Sequence, residues 1–170
     1  MSPRHSVQIR VGQMTGRSDK LAKSRPSSEA FELDEFPFYW VARVNARYAL
    51  EMEKTLKPMN MDISRWRVAM LLNVHGEMSI SDIAEQALGK LPTITKIVYR
   101  MRDEGLVAVY PSDMDGRVTL VRLTELGYEN VTYVFANTQD VFKKAFKGFS
   151  EPQVRKVNKL LGKLFDNLGE

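Results

Sequence analysis

Between Lys90 and Arg102 the chain carries four cations, Lys90, Lys96, Arg100 and Arg102, with Thr93, Thr95 and Tyr99 among them and no carboxylate. These side chains do not make or break bonds. Their chemistry is that of polyanion recognition: long cations neutralise phosphate, and together with hydroxyls they hydrogen-bond base edges in a DNA groove. Spacing makes them a set. Thr93, Lys96 and Arg100 fall on successive turns of one helix face, so they can act on one groove together. Ile94, Ile97, Val98 and Met101 stand at i, i+3, i+4 and i+7 on the other face, an apolar stripe for a core. A solvated surface helix shows a charged face too, so the flanking elements must decide.

Upstream, Ser79 with Asp82 three positions on is the acidic form of a capping box. Ile80, Ile83, Ala84 and Ala87 continue at helical spacing. Gly89 is expected to close that helix in the left-handed region, and Pro92 suits the first turn of the next one. Downstream, Val107, Val109 and then Val118 to Leu123 are strand formers. Pro111, Asp113, Asp115 and Gly116 supply turn chemistry between them. Arg117, beside the tip, either reaches an adjacent minor groove or pairs locally with Asp115; the two are compatible. Helix, turn, basic helix and hairpin in this order place one positive helix in a groove and a hairpin beside it.

The stretch resembles the winged helix-turn-helix of the multiple-antibiotic-resistance regulator (MarR) family. ISDIAEQAL matches the support helix, TITKIVYRMRDEGLV the recognition helix and its exit, and DMDGRVTLVRLTELG the wing and the start of the next helix. The LTELG ending is the most specific part, and helix order extends the likeness over about residues 34–168. Two departures stand out: Gly116 occupies one of two places where the family often has consecutive arginines, and Leu91-Pro92 replaces a small polar residue with Pro or Ser. The fold implied is mainly α with a small β-hairpin wing: a winged helix-turn-helix over residues 62–123, flanked by dimerisation helices over 34–57 and 124–168. DNA contact is then expected from Lys90, Thr93, Thr95, Lys96, Tyr99 and Arg100 on the helix and Arg117 on the wing.

The remaining chain fits that frame. At 170 residues and 44% hydrophobic content it is long enough for a real core. No apolar run approaches the ~20 residues that cross a bilayer, so no membrane role is expected, and cytoplasmic location is the default. With no cysteine, disulfides and thiol chemistry are excluded. A net charge of +4 favours polyanion partners. Residues 1–30 hold six cations against Asp19 and Glu29, and read as a disordered basic tail that either adds non-specific DNA affinity or is inert. A long helix is expected from Asp34 to Lys57, where Pro58 blocks continuation, with Val41, Val44, Tyr48, Met52 and Leu56 as its stripe. Phe36, Phe38, Tyr39 and Trp40 crowd its start as core or interface. The next helix offers Trp66, Ala69, Met70 and Leu72 for burial, and Gly76 ends it. His75 at its C-terminus suits the dipole, and with only His5 besides it no metal site is formed. After the wing, a helix of about 23 residues from Thr124 has Val131, Val134, Phe135, Phe142, Ala145 and Phe146 on one side. Ser150 and Gln153 form a capping box for the last helix, where Val154, Val157, Leu161, Leu164 and Leu168 make a seam suited to a second copy of the chain.

A symmetric homodimer would set two recognition helices roughly 34 Å apart, and the target in double-stranded DNA would be an inverted repeat. The resemblance implies transcriptional regulation, usually repression relieved by a small-molecule inducer. The implied effectors are aromatic acids or their CoA thioesters, bound in a region that Tyr39, Arg43, Trp66 and Met70 would wall. Tyr39 and Arg43, four apart, put a phenol and a guanidinium where they can meet a carboxylate. No cofactor is expected. Catalysis is not expected either: the chain has no phosphate loop, nucleophile signature or metal cluster. A non-specific architectural DNA-binding protein and a helical protein-interaction module are the competing readings.

Overall fold

The structure, a computed structural model, describes residues 20–169 in two compact units, one ending at Val44 and the other beginning at Asn45. In the first unit, residues 22–24 and 33–35 form 3-10 turns. Lys23 pairs with Glu32 at 2.7 Å across them. Residues 1–19 of the expected tail lie outside the described residues, and its remainder forms turns rather than loose chain. Phe31, Phe36 and Phe38 meet edge to face, at 5.9 and 5.6 Å between centroids. Helix α1 (Pro37–Leu56) starts three residues later than expected. The residue before a proline is driven to extended backbone, and Phe36 sits at φ −87°, ψ 111°, which cuts the helix off from Leu33–Glu35. Of the expected α1 stripe, Met52 and Leu56 are buried, whereas Val41, Val44 and Tyr48 are exposed.

The second unit continues from α1 through a 3-10 turn at Lys57–Met59, and Asn60 at φ 49° turns the chain. Helix α2 (Ile63–His75) is capped by Asp62, whose carboxylate accepts the N–H groups of Ser64 and Arg65. Gly76, at φ 79°, ends it. Then come strand β1 (Glu77–Ser79), α3 (Ile80–Gln86), α4 (Leu91–Asp103), β2 (Val107–Pro111), β3 (Thr119–Leu123), α5 (Glu125–Ala145) and α6 (Glu151–Gly169). The sheet is antiparallel in the order β1-β3-β2. A two-stranded hairpin was expected; β1 adds a third strand, so that Val121 faces both Met78 and Val109. Val118 falls outside β3, its N–H bonded to the Asp115 carbonyl at 2.8 Å and its carbonyl to Ser112 N–H at 2.8 Å.

Ser79 caps α3 as expected, its hydroxyl accepting Asp82 N–H at 3.0 Å. The turn that follows differs from expectation. Leu88, not Gly89, takes the left-handed conformation, at φ 50°. Gly89 serves a different purpose: a Cβ there would lie 2.8 Å from Ile94 Cδ1, so glycine lets the turn press on α4. The T-x-x-G of LTELG also has a local cause. The Thr124 hydroxyl accepts Gly127 N–H at 3.1 Å and donates to the Gly105 carbonyl at 2.7 Å. A Cβ on Gly127 would collide with the Leu106 carbonyl at 2.1 Å. The pair therefore clamps the start of α5 onto the exit of α4.

One core fills the second unit. It joins Val68, Ala69 and Leu72 of α2, Ile83 of α3, Ile94, Val98 and Met101 of α4, Val121 and Leu123 of β3, and Val131 and Val134 of α5. Each such side chain contributes about 1.5–3 kcal/mol by leaving water. At the far end, Gln153 returns a cap to Ser150 N–H at 2.7 Å. No residue of α6 is buried, and Leu160, Leu161, Leu164, Phe165 and Leu168 all face solvent in the single chain.

Candidate nucleic-acid interface and ligand cavity

Helix α4 is seated by its apolar stripe: Ile94, Val98 and Met101 are buried and Ile97 half-buried. That anchoring turns Thr93, Lys96 and Arg100 outward, all exposed, with Lys90 at the N-cap position. The helix N-terminus adds uncapped N–H groups and the positive end of the dipole beside Lys90. Lys96 has no hydrogen bond or ion pair among the described residues. Thr95 is half-buried, its hydroxyl donating to the Leu91 carbonyl at 2.8 Å. Tyr99 is half-buried against the core, with the Arg102 guanidinium stacked 4.6 Å from its ring centroid. Arg102 also bonds Asp103, so Tyr99 and Arg102 occupy each other at the edge of the face. Arg100 donates from Nε to Glu104 at 3.0 Å.

The hairpin carries Arg117 outward, its side chain 92% exposed, and Asp115 grips it through both carboxylate oxygens at 3.1 Å. Arg117 holds Asp115 below the usual carboxylate range, first by the side-chain hydrogen bond and then by its backbone N–H. Local pairing and outward display thus coexist. On the sheet, Tyr110 of β2 hydrogen-bonds Glu77 of β1, and Arg122 of β3 stacks 5.5 Å from the Tyr110 centroid. The hydrogen bond to Glu77 raises the Tyr110 pKa above the usual tyrosine value.

Of the four expected ligand residues, Trp66 and Met70 line one cavity of about 180 Å³ together with Tyr48, Met52, Phe135, Thr138, Val141 and Phe142. Trp66 is 3% exposed and meets Phe135 edge-on at 5.2 Å. The wall is apolar apart from the Tyr48 and Thr138 hydroxyls, and the latter is turned to the Phe135 carbonyl. A cavity of about 150 Å³ holds benzene, so this one matches a single aromatic ring. Tyr39 and Arg43 lie in the first unit, where the guanidinium stacks 5.1 Å from the phenol centroid; they share a helix face, as expected. Sequence reasoning missed Tyr48, Phe135 and Phe142 as cavity walls. The signal was present, since Phe135 and Phe142 are one heptad apart on α5 and Tyr48 belongs to the α1 stripe. Among the described residues no cluster of His, Asp and Glu is arranged to hold a metal.

Comparison with known proteins places this geometry. A family model described as MarR family matches residues 61–119. The HTH-type transcriptional repressor IacR of Pseudomonas putida is 50% identical over 143 residues, which is 84% of this chain and 86% of that protein. Mutant MarR from E. coli, solved in complex with operator DNA, is similar in fold with a TM-score of 0.70 at 20% identity, covering 77% of this chain and 95% of that one. Bordetella bronchiseptica BpsR, from a study of how 6-hydroxynicotinic acid regulates its DNA binding, reaches 0.72 at 20% identity, over 80% and 97% of the two chains.

Proposed function

The chain belongs to the MarR family of transcriptional regulators, and from that premise we propose that it is a repressor that binds an inverted-repeat operator as a homodimer and releases it on binding a small aromatic acid or its CoA thioester. The observation that carries the reading is the disposition of α4: its apolar stripe is buried while Thr93, Lys96 and Arg100 are exposed along one face, with no carboxylate between Lys90 and Arg102. Each protomer lays this face in a major groove, with Lys90 at the helix start, Thr95 and Tyr99 on its flanks and Arg117 reaching the neighbouring minor groove. The α6 seam supports dimerisation, because Leu161, Leu164 and Leu168 are left exposed by the described residues. Two copies would bury it together.

The cavity beside Trp66 and Met70 takes the effector's ring. Its size favours one ring and its apolar lining favours an uncharged face. Tyr39 and Arg43, stacked on each other in the first unit, stay proposed ligand residues on their donor chemistry alone. To release DNA, the effector must favour a dimer shape with unfitting helix spacing by several kcal/mol over the DNA-bound shape. The working compartment is the cytoplasm, and no helix among the described residues is long and apolar enough to cross a membrane.

Footprinting on the DNA flanking its own gene tests the reading. A protected inverted repeat with half-sites about one helical turn apart is expected. Uniform coverage without a boundary would instead identify an architectural binder. Addition of monocyclic aromatic acids should erase the footprint and raise the melting temperature. Acids that do neither, alone or as CoA thioesters, would overturn the effector assignment.

A further inference from the structure

A charged residue of α2 is buried where the core would be expected to exclude it. The Arg65 side chain is 5% exposed and every face of its guanidinium is used. Nε donates to Asp62 at 3.1 Å, Nη1 to Glu104 at 2.5 Å, and Nη2 to the Asn60 carbonyl. Glu104 follows the last residue of α4 as its C-cap. A carboxylate there opposes the helix dipole and adds negative charge close to the face proposed to meet DNA. Two guanidiniums offset that cost: Arg65 holds Oε2, and Oε1 accepts Arg100 Nε at 3.0 Å. Glu104 is thus held from the protein side by a buried, fully hydrogen-bonded partner and presents its other oxygen toward the outer face of α4.

The bond to Arg100 uses only Nε. A guanidinium held by Nε is narrowed in the directions it can take, while its two terminal nitrogens stay available for the paired hydrogen bonds that recognise guanine or bridge phosphates. Arg102 is also held through Nε, but by its exposed neighbour Asp103, with no buried partner behind it. Lys96 has no partner among the described residues, and Arg102 bonds Asp103 through a second nitrogen and stacks on the Tyr99 ring.

We propose that Arg65 is a positioning residue for DNA reading: through Glu104 it fixes the Arg100 guanidinium in the orientation it uses on the operator. The inference rests on the assignment of Arg100 to the groove. It adds that the operator's advantage over other DNA depends on a buried side chain that touches no nucleic acid. The mount lowers the ordering cost of a long side chain on binding, and it matters more for geometry-dependent base contacts than for non-specific phosphate attraction.

The test uses the full-length protein and fluorescence anisotropy on two duplexes, the footprinted operator and a scrambled duplex of equal length. The readout is the ratio of the two affinities. Glu104→Gln keeps the shape but weakens both ionic bonds, and should lower the ratio about threefold to tenfold. Arg65→Gln should do the same. In an Arg100→Ala background, Glu104→Gln should leave the ratio unchanged, whereas general loosening of the domain would lower it again by the same factor and overturn the proposal. A Glu104→Gln variant that binds both duplexes more tightly would show that Glu104 merely competes with DNA for Arg100, and would also overturn it, as would an unaltered ratio. Should Arg65→Gln fail to fold, Glu104→Gln still decides, since Glu104 is partly exposed. Arg100→Ala alone separates the levels. If it leaves operator binding intact, the groove assignment itself fails; if it weakens binding while Glu104→Gln does nothing, only the positioning role fails.

Discussion

Lys96 offers the cleanest perturbation of the proposed DNA face. It is exposed, mid-helix, and without an ion pair or hydrogen bond among the described residues. Lys96→Ala therefore removes no internal contact, and alanine is the better helix former by a few tenths of a kcal/mol. Stability should be unchanged or slightly raised, so any loss of DNA affinity originates at the interface. Two outcomes are separable. If Lys96 reads a base edge, each copy contributes about 1–3 kcal/mol of discrimination, and the loss concentrates on the operator. If it clamps a phosphate, each lost contact lowers the slope of log K against log salt by ~0.9, hence ~1.8 for a dimer carrying two copies, with similar losses on all sequences. Arg100→Ala is less clean, because it also dissolves an ion pair with Glu104; that pair is half exposed at the arginine, and surface pairs contribute about 0.2–1 kcal/mol. Anisotropy titrations across a salt series, on the operator and on scrambled DNA, measure both affinity and slope. Identical affinities and slopes for wild type and Lys96→Ala would refute the placement of this helix face on DNA.

Three further outcomes follow from contacts described above. Asp62→Ala should cost about 0.5–2 kcal/mol through its cap alone. Burial pushes the Asp62 carboxyl up, but the N–H, charge and side chain of Arg65 together with Ser64 N–H bring it below its usual 3.8. Its stabilisation is thus present above pH 3.8 and fades as pH falls through the lower folded value. Melts of wild type and variant should converge in that acid range. Asp115→Asn loosens Arg117, whose side chain pairs with that carboxylate alone among the described residues, and removes a negative charge from the wing. Affinity for DNA of any sequence should rise, with a steeper salt dependence; a fall would mean that Asp115 orients Arg117 productively. Gly127→Ala drives a methyl into the Leu106 carbonyl, and should destabilise by ~3 kcal/mol or more in denaturant melts, while Gly162→Ala, which meets nothing within 4 Å, should not.

The reading unit was legible in the sequence because its signals are local. Ser79, Pro92 and Thr124 announce helix starts through chemistry completed within a turn or two, and the α4 stripe has a clean period. What escaped notice depends on distant partners. Strand β1 is three residues, Glu-Met-Ser, too short to show alternation; it exists because β3 offers an open edge to it. Leu88 takes a conformation usually left to glycine, since the adjacent glycine is needed for close approach to Ile94. Arg65 looks like one more solvated cation until Glu104, 39 residues away, is brought beside it. For the cavity, Trp66 and Met70 were legible from their helix, but Phe135 and Phe142 come from an element far along the chain.

The third strand has a bearing on how such a protein is switched. β1 runs without a break from Ser79 into Ile80 of α3, and it is stitched to the hairpin by backbone pairing with β3 and by the Tyr110, Glu77 and Arg122 trio. The hairpin is thereby joined to the helix that supports α4 by both backbone and side-chain contacts. On the proposed reading, an effector near Trp66 meets a head braced at this joint. On that same reading, such an effector would act by shifting where the whole head stands relative to its twin, a matter of pitch and separation.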